Sequence, residues 1–211
     1  VAESRTAIYS AHVEAIGARN GIGLVKLMGR HSGFIAAHAA LANNDANFCL
    51  VPEAPFTLEA FLHALRERLE QRHHAVVVVA EGAGQELMGK NLKRDSSGNI
   101  RLGDIGLFLR DRIGDYFRHM GTEVSLKYID PSYTIRSMPA NPNDSVFCLL
   151  LGQYAVHAGM AGRSNMVVGY WNGEFTHVPI ALATSKRKQI DPEGSLWNSV
   201  LEATGQPRNM T

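Results

Sequence analysis

The run Ala75-Val76-Val77-Val78-Val79-Ala80 constrains this chain more than any other stretch. Branched residues stacked without alternation leave no polar face, so a strand made of them must be covered on both sides. Sheets covered on both faces are mostly parallel, and parallel strands need helical crossovers. The neighbouring sequence supplies such helices. Thr57 can cap a helix over residues 58–71, with Leu58, Phe61, Leu62, Leu65 and Leu69 on one face. Asp104 can cap another over about 105–119, and the spacing of Ala7, Ile8, Ala11 and Ala15 predicts a helix over 2–16, which Asn20-Gly21 ends. Further strands are predicted over 22–28, 48–51 and 123–129, with a helix over 35–42. The alternation of helix and strand up to Ile129 predicts right-handed crossovers and a doubly wound, mostly parallel α/β sheet. The polar stretch Lys93 to Gly98 reads as an exposed loop.

The pattern changes after Arg136. Pro139 and Pro142 break any regular element, and Asp144 then precedes an alanine- and leucine-rich apolar helix over 145–161. Residues 166–171 and 174–180 flank Asn172-Gly173, a strong hairpin signal. A final helix is expected near 192–203. A hairpin after a helix does not continue the alternation, so a second structural unit is expected beyond about Arg136.

A chain of 211 residues can bury a substantial core, and its net charge of +1 argues against a strongly electrostatic nucleic-acid or membrane partner. Cys49 and Cys148 lie in apolar runs and make neither a metal motif nor a disulfide framework, which suits a reducing cytoplasm. No apolar run reaches the length of a membrane span, and there is no charged-then-apolar leader. The opening Val1-Ala2-Glu3-Ser4-Arg5, without an initiator methionine, suggests a piece of a longer chain.

Three predicted strand ends carry chemistry. The first supplies Met28, Gly29 and Arg30, the second Glu81 with Gly82 and Gly84, and the third Tyr133 and Arg136, with Lys127 on the strand itself. Parallel strands gather these ends at one edge, where ligands sit in open α/β sheets. The helix after Gly33 offers backbone N–H groups to an anion, and Arg30 adds a planar fork of donors. The plainer reading makes Gly29 and Gly33 turn-formers and Arg30 a solvated charge. Together the cations would hold a phosphate and Glu81 would accept hydrogen bonds from hydroxyls, which fits a phosphorylated sugar. Glu53, after Pro52, reads as a turn residue. Lys186-Arg187-Lys188 reads as a solvated run, or alternatively as an effector-phosphate site. His31, His38, His73, His74 and His157 form no ligand-like cluster.

Four segments together, KLMGRHSGF (26–34), AEGAGQ (80–85), KYIDPSYTIR (127–136) and AVHAGMAG (155–162), resemble 6-phosphofructokinase, in its plant-like and pyrophosphate-type branch and nearest its ATP-using members. The resemblance covers nearly the whole chain. It implies the phosphofructokinase fold, a Rossmann-like doubly wound sheet with part of a second α/β domain: 1–136 as the fructose 6-phosphate-binding domain, 137–185 as a partial segment of the phosphate-donor-binding domain, and 186–211 as a C-terminal helix returning to the first. It implies transfer of a phosphoryl group from ATP to the 1-hydroxyl of fructose 6-phosphate, with Mg²⁺, in a cytoplasmic and allosteric homodimer or homotetramer. Met28, Gly29 and Arg30 match the family's MGR motif, Glu81 its hydroxyl-binding glutamate, and Tyr133 and Arg136 its YxxR phosphate contact. Lys127 stands where bacterial members place an arginine that reaches in from a neighbouring subunit. Gly21 stands where those members carry a second such arginine. The family's donor loop (GGDGT for ATP, GGDDS for pyrophosphate) and the TID motif with its catalytic aspartate do not occur in these residues. The resemblance therefore places the sugar-phosphate half of the enzyme here, with no catalytic or metal residue, and predicts that the 211 residues alone bind sugar phosphate weakly or not at all and do not turn over. The alternatives are a pyrophosphate-dependent enzyme and a non-catalytic sugar-phosphate-binding chain.

Overall fold

The computed structural model describes residues 1–89, 98 and 101–211. Apart from Gly98, the expected loop at 93–98 lies outside the described residues. The chain divides into two compact units, residues 1–136 with 189–211, and residues 137–188.

The first unit is built on strands β1 (Gly21–Leu27), β2 (Phe48–Leu50), β3 (His74–Ala80) and β4 (Ser125–Ile129). Among the described residues they form one sheet in the order β2-β3-β1-β4, all parallel. The valine run is the inner strand β3, and its side chains alternate between two cores. Val77 and Val79 join the core that contains Phe61, Leu65, Leu109 and Phe117, from helices α3 (Leu58–Arg72) and α4 (Ile105–His119). Val76 and Val78 join the core that contains Ile8, Ala36, Trp197 and Val200. Those residues come from α1 (Ala2–Ile16), α2 (Phe34–Leu41) and, counted last in the chain, α8 (Ser195–Thr204). Both faces are thus filled, and this is why β3 carries no polar residue between Ala75 and Ala80.

The caps form as the residue types require. Thr57 accepts from the Ala60 amide at 3.3 Å, and Asp104 from the Leu107 amide at 3.1 Å. The exposed edge of β2 is covered by Gln206. Its side chain accepts from the Cys49 amide at 2.6 Å and donates to the Cys49 carbonyl at 3.3 Å, replacing a missing strand. Cys49 is fully buried, and burial, with Glu53 adding to it, pushes its thiol up to about 12.

A short helix α5 (Ser132–Arg136) and a 3₁₀ turn (Gln85–Met88) were not expected. Asp130 starts α5 by accepting from the Ser132 amide at 3.1 Å.

In the second unit, α6 spans Pro142–Met160 and begins earlier than expected, at Pro142 itself. Asn141, not Asp144, is the cap, accepting from the Asp144 amide at 2.8 Å. Proline at the first helical position loses no hydrogen bond, so it opens this helix instead of breaking it. Strands β5 (Met166–Trp171) and β6 (Glu174–Pro179) form the hairpin, with Asn172 at φ 48° and Gly173 at φ 87° in its turn. A one-turn helix α7 (Ile180–Ala183) follows, also unexpected. Phe175 lies between Tyr154, at 4.6 Å between ring centroids, and Tyr170, at 5.0 Å, which fastens α6 to the hairpin. Lys186, Arg187 and Lys188 are exposed.

Candidate substrate pocket at the strand ends

The register of the sheet sets the site. Leu27 pairs with Ala80 and Val25 with Ile129, so β1, β3 and β4 end together. Beyond those ends lies a cavity of about 410 Å³, inside the range of roughly 300–1,000 Å³ usual for small-molecule sites. Met28, Gly29 and Arg30 line it after β1, and Glu81 after β3. Ser132 and Arg136 line it from α5, Arg101 and Leu102 from the approach to α4, and Ile35 from α2. Three arginines and one glutamate therefore line one cavity.

The loop after β1 is held from beneath. Glu81 Oε1 accepts from the Arg30 amide at 2.7 Å and the Gly29 amide at 3.1 Å. One oxygen of the carboxylate expected to face hydroxyls thus also fixes the turn that carries Arg30. The approach is close: a Cβ on Gly82 would stand 1.7 Å from the Arg30 carbonyl oxygen, so only glycine fits. Arg30 itself sits at φ 50°, a strained conformation for a residue with a side chain, and the Glu81 bonds hold it there.

The start of α2 differs from expectation. The Gly33 amide is taken by the protein's own Glu53 carboxylate, at 3.0 Å to each oxygen. Glu53 Oε1 also accepts from the Ile190 amide at 3.1 Å. Glu53 is therefore more than a turn residue: it supplies the negative charge that the helix start favours and ties the β1 loop to the returning chain.

Tyr133 is 78% exposed and does not line the cavity; its ring lies 4.8 Å from the Arg136 guanidinium, against which it stacks. Lys127 does not line the cavity either. It pairs in register with Gly23 and its ammonium lies 3.8 Å from Glu14 on α1. At Gly21 a Cβ would meet the Ala15 carbonyl oxygen at 2.0 Å, so the packing of α1 on β1 leaves no room for an arginine there.

Sequence reasoning missed Arg101, Ser132 and Lys26 as parts of the site's frame. Lys26 left a signal: it is the one charge in a strand otherwise made of apolar residues and glycine, and a charge so placed must be paired. Its ammonium donates to Asp104 Oδ2 at 2.8 Å and to Asp130 Oδ2 at 2.9 Å. Burial alone would lower the Lys26 pKa; the bonds to Asp104 and Asp130 outweigh it and raise the value above the ordinary lysine range. For both carboxyls burial works upward, yet the Lys26 bond and the helix-cap amides bring them below the usual range. Burial also pushes the Tyr128 hydroxyl, which donates to Asp104 Oδ1 at 3.2 Å, up to about 12.

Among the described residues no group of three or more His, Cys, Asp or Glu side chains is placed to hold a metal ion. The acidic pair below the pocket, Asp104 and Asp130, is committed to Lys26. These residues do not fit a Mg²⁺ site. No helix among the described residues is long and apolar enough to cross a membrane.

A family model described as phosphofructokinase matches residues 1–159. The chain is 50% identical over 220 residues to an ATP-dependent 6-phosphofructokinase of Borreliella burgdorferi, covering 100% of this chain and 49% of that protein. To ATP-dependent 6-phosphofructokinase 1 of Arabidopsis thaliana it is 47% identical over 218 residues, covering 100% of this chain and 46% of that one. The chain spans about half the length of the curated relatives it matches. Among solved structures, a pyrophosphate-dependent phosphofructokinase from Marinobacter aquaeolei has a TM-score of 0.67 and 16% identity, covering 99% of this chain and 54% of that one. At that identity the likeness speaks for the fold alone.

Proposed function

This chain belongs to the phosphofructokinase family, and from that premise we propose that its pocket holds fructose 6-phosphate for phosphorylation by ATP at the 1-hydroxyl, giving fructose 1,6-bisphosphate. The observation that carries the proposal is the convergence of Arg30, Arg101 and Arg136 on one cavity with Glu81 at the same strand ends. A phosphate monoester brings close to two negative charges at neutral pH. Guanidinium forks match its oxygens and stay charged at every relevant pH. Glu81, between the arginines and the loop it fixes, is the acceptor for sugar hydroxyls. Tyr133 takes part by holding the Arg136 guanidinium flat against its ring.

ATP is favoured over pyrophosphate as donor because the relatives at 47–50% identity bear the name ATP-dependent. Mg²⁺ would be held elsewhere in the catalytic assembly, since the described residues here do not fit it, and no step is assigned to it. Phosphoryl transfer is governed by positioning and charge stabilisation. On this reading the role of the chain's own residues is to hold the acceptor sugar in place. We further propose a homodimer or homotetramer in which Lys127, away from its own pocket, serves a neighbouring copy. A cytoplasmic location belongs to the same proposal; relatives named chloroplastic occur in Arabidopsis thaliana. The 211 residues by themselves are expected to give no turnover with fructose 6-phosphate and either donor.

The test is Arg136→Ala in the whole natural protein, read by calorimetric titration with fructose 6-phosphate. Loss of a charge-assisted bond to phosphate should weaken binding by about 1.5–3 kcal/mol, roughly 10- to 150-fold. Unchanged affinity in a folded variant would remove Arg136 from the site and overturn the proposed pocket.

A further inference from the structure

We infer that Lys26 is a positioning residue for this pocket, an internal strut that sets the spacing of three pocket walls without touching the ligand. The inference rests on the reading of the cavity as a sugar-phosphate site. The Lys26 side chain is only 12% exposed, and its ammonium is shared between Asp104 and Asp130. Each carboxylate uses its other oxygen to start a helix. Asp104 Oδ1 accepts from the Leu107 amide at 3.1 Å and from the Tyr128 hydroxyl at 3.2 Å. Asp130 Oδ1 accepts from the Ser132 amide at 3.1 Å and also from the Ser132 hydroxyl. One ammonium thus joins β1 to the first turns of α4 and α5.

The pocket walls hang from the same three places. Met28 and Arg30 follow Lys26 just past the end of β1, Arg101 precedes Asp104, and Ser132 and Arg136 follow Asp130. The arginines therefore come from segments with no common backbone element, and Lys26 links all three. With both carboxylates on it, its ammonium is spent inside the protein, and Lys26 does not line the cavity. Removing it leaves two carboxylates facing the same point without a counter-charge. They repel, and the starts of α4 and α5 move apart. A sugar phosphate must reach the arginines and Glu81 at once and feels the change in spacing; a bare anion, with no sugar to place, resettles on whichever arginines remain in reach.

That difference defines the test. Fructose 6-phosphate and inorganic phosphate are titrated against the whole natural protein and its variants Lys26→Met, Lys26→Arg and Arg136→Ala. Lys26→Met is expected to weaken fructose 6-phosphate at least tenfold while changing inorganic phosphate less than twofold. Lys26→Arg, which keeps the charge, should recover most of the loss. Arg136→Ala should weaken both ligands. Unchanged fructose 6-phosphate affinity in Lys26→Met, or equal losses for the two ligands, would overturn the positioning role while Arg136→Ala still supports the site. If Arg136→Ala changes neither ligand, the failure belongs to the site itself. Should Lys26→Met not fold, Asp130→Asn replaces it: a loss confined to fructose 6-phosphate supports the strut, and no loss overturns it.

Discussion

Phe61 and Leu149 are both apolar residues on long helices, and their fates divide the two units. In the first unit, α3 turns one stripe inward; Phe61 is completely buried between Phe48 and Phe56, with ring centroids at 5.6 and 5.9 Å. In the second, α6 is apolar on several sides. Phe147 and Tyr154 meet the hairpin's Phe175, while Val146, Leu149, Val156 and Met160 remain exposed, Met160 by 84%. Apolar content alone therefore does not set burial. A striped helix finds its core within its own unit, whereas a helix apolar all round needs more surface than one hairpin supplies.

The largest effect that would sharpen this contrast is in the first core. Phe61→Ala should cost about 3–5 kcal/mol in denaturant unfolding, and Leu149→Ser should stay within about 0.5 kcal/mol. A loss above about 2 kcal/mol at Leu149 would break the comparison.

Glycine gives the next test, with opposite signs. Gly82→Ala forces a methyl against the Arg30 carbonyl and should destabilise by about 1–3 kcal/mol. Gly152 lies in α6 with nothing within 4 Å of an added Cβ. There Gly152→Ala should stabilise by about 0.5–1 kcal/mol through helix propensity. Thermal melting of both variants reads the signs; a gain at Gly82 would show that the β1 loop yields easily.

The smallest expected effect is a pH dependence in the first unit. Asp104 and Asp130 have folded pKa values below their ordinary ones. Their contribution is present above the unfolded value near 3.9 and is lost as pH falls through the folded values. Lys26, raised, contributes fully below its ordinary value near 10.4 and loses that contribution only in strong alkali. The stability gap between the wild type and Asp130→Asn should therefore be flat near neutrality and close below about pH 4. A gap that closes between pH 6 and 8 would assign it to other groups.

Most of the fold was legible because its signals are local. The valine run, the Thr57 and Asp104 caps and the Asn172-Gly173 turn each act within a few residues. Pro142 was misjudged because a proline that breaks a helix and one that opens it differ only in position. The three strand ends could be read from alternation, and with them Arg30, Glu81 and Arg136. The frame that fixes them could not. Lys26 meets Asp104 and Asp130 across 78 and 104 positions, and Glu53 meets Ile190 across 137. Such pairings are set by sheet order, which local pattern does not specify.

Amide hydrogen exchange with and without saturating fructose 6-phosphate tests the central claim most directly. The account predicts that residues 28–30, 81 and 132–136 gain protection together, although they are far apart in the chain, while β5 and β6 do not change. Protection confined to the second unit, or absent from all three strand ends, would contradict it.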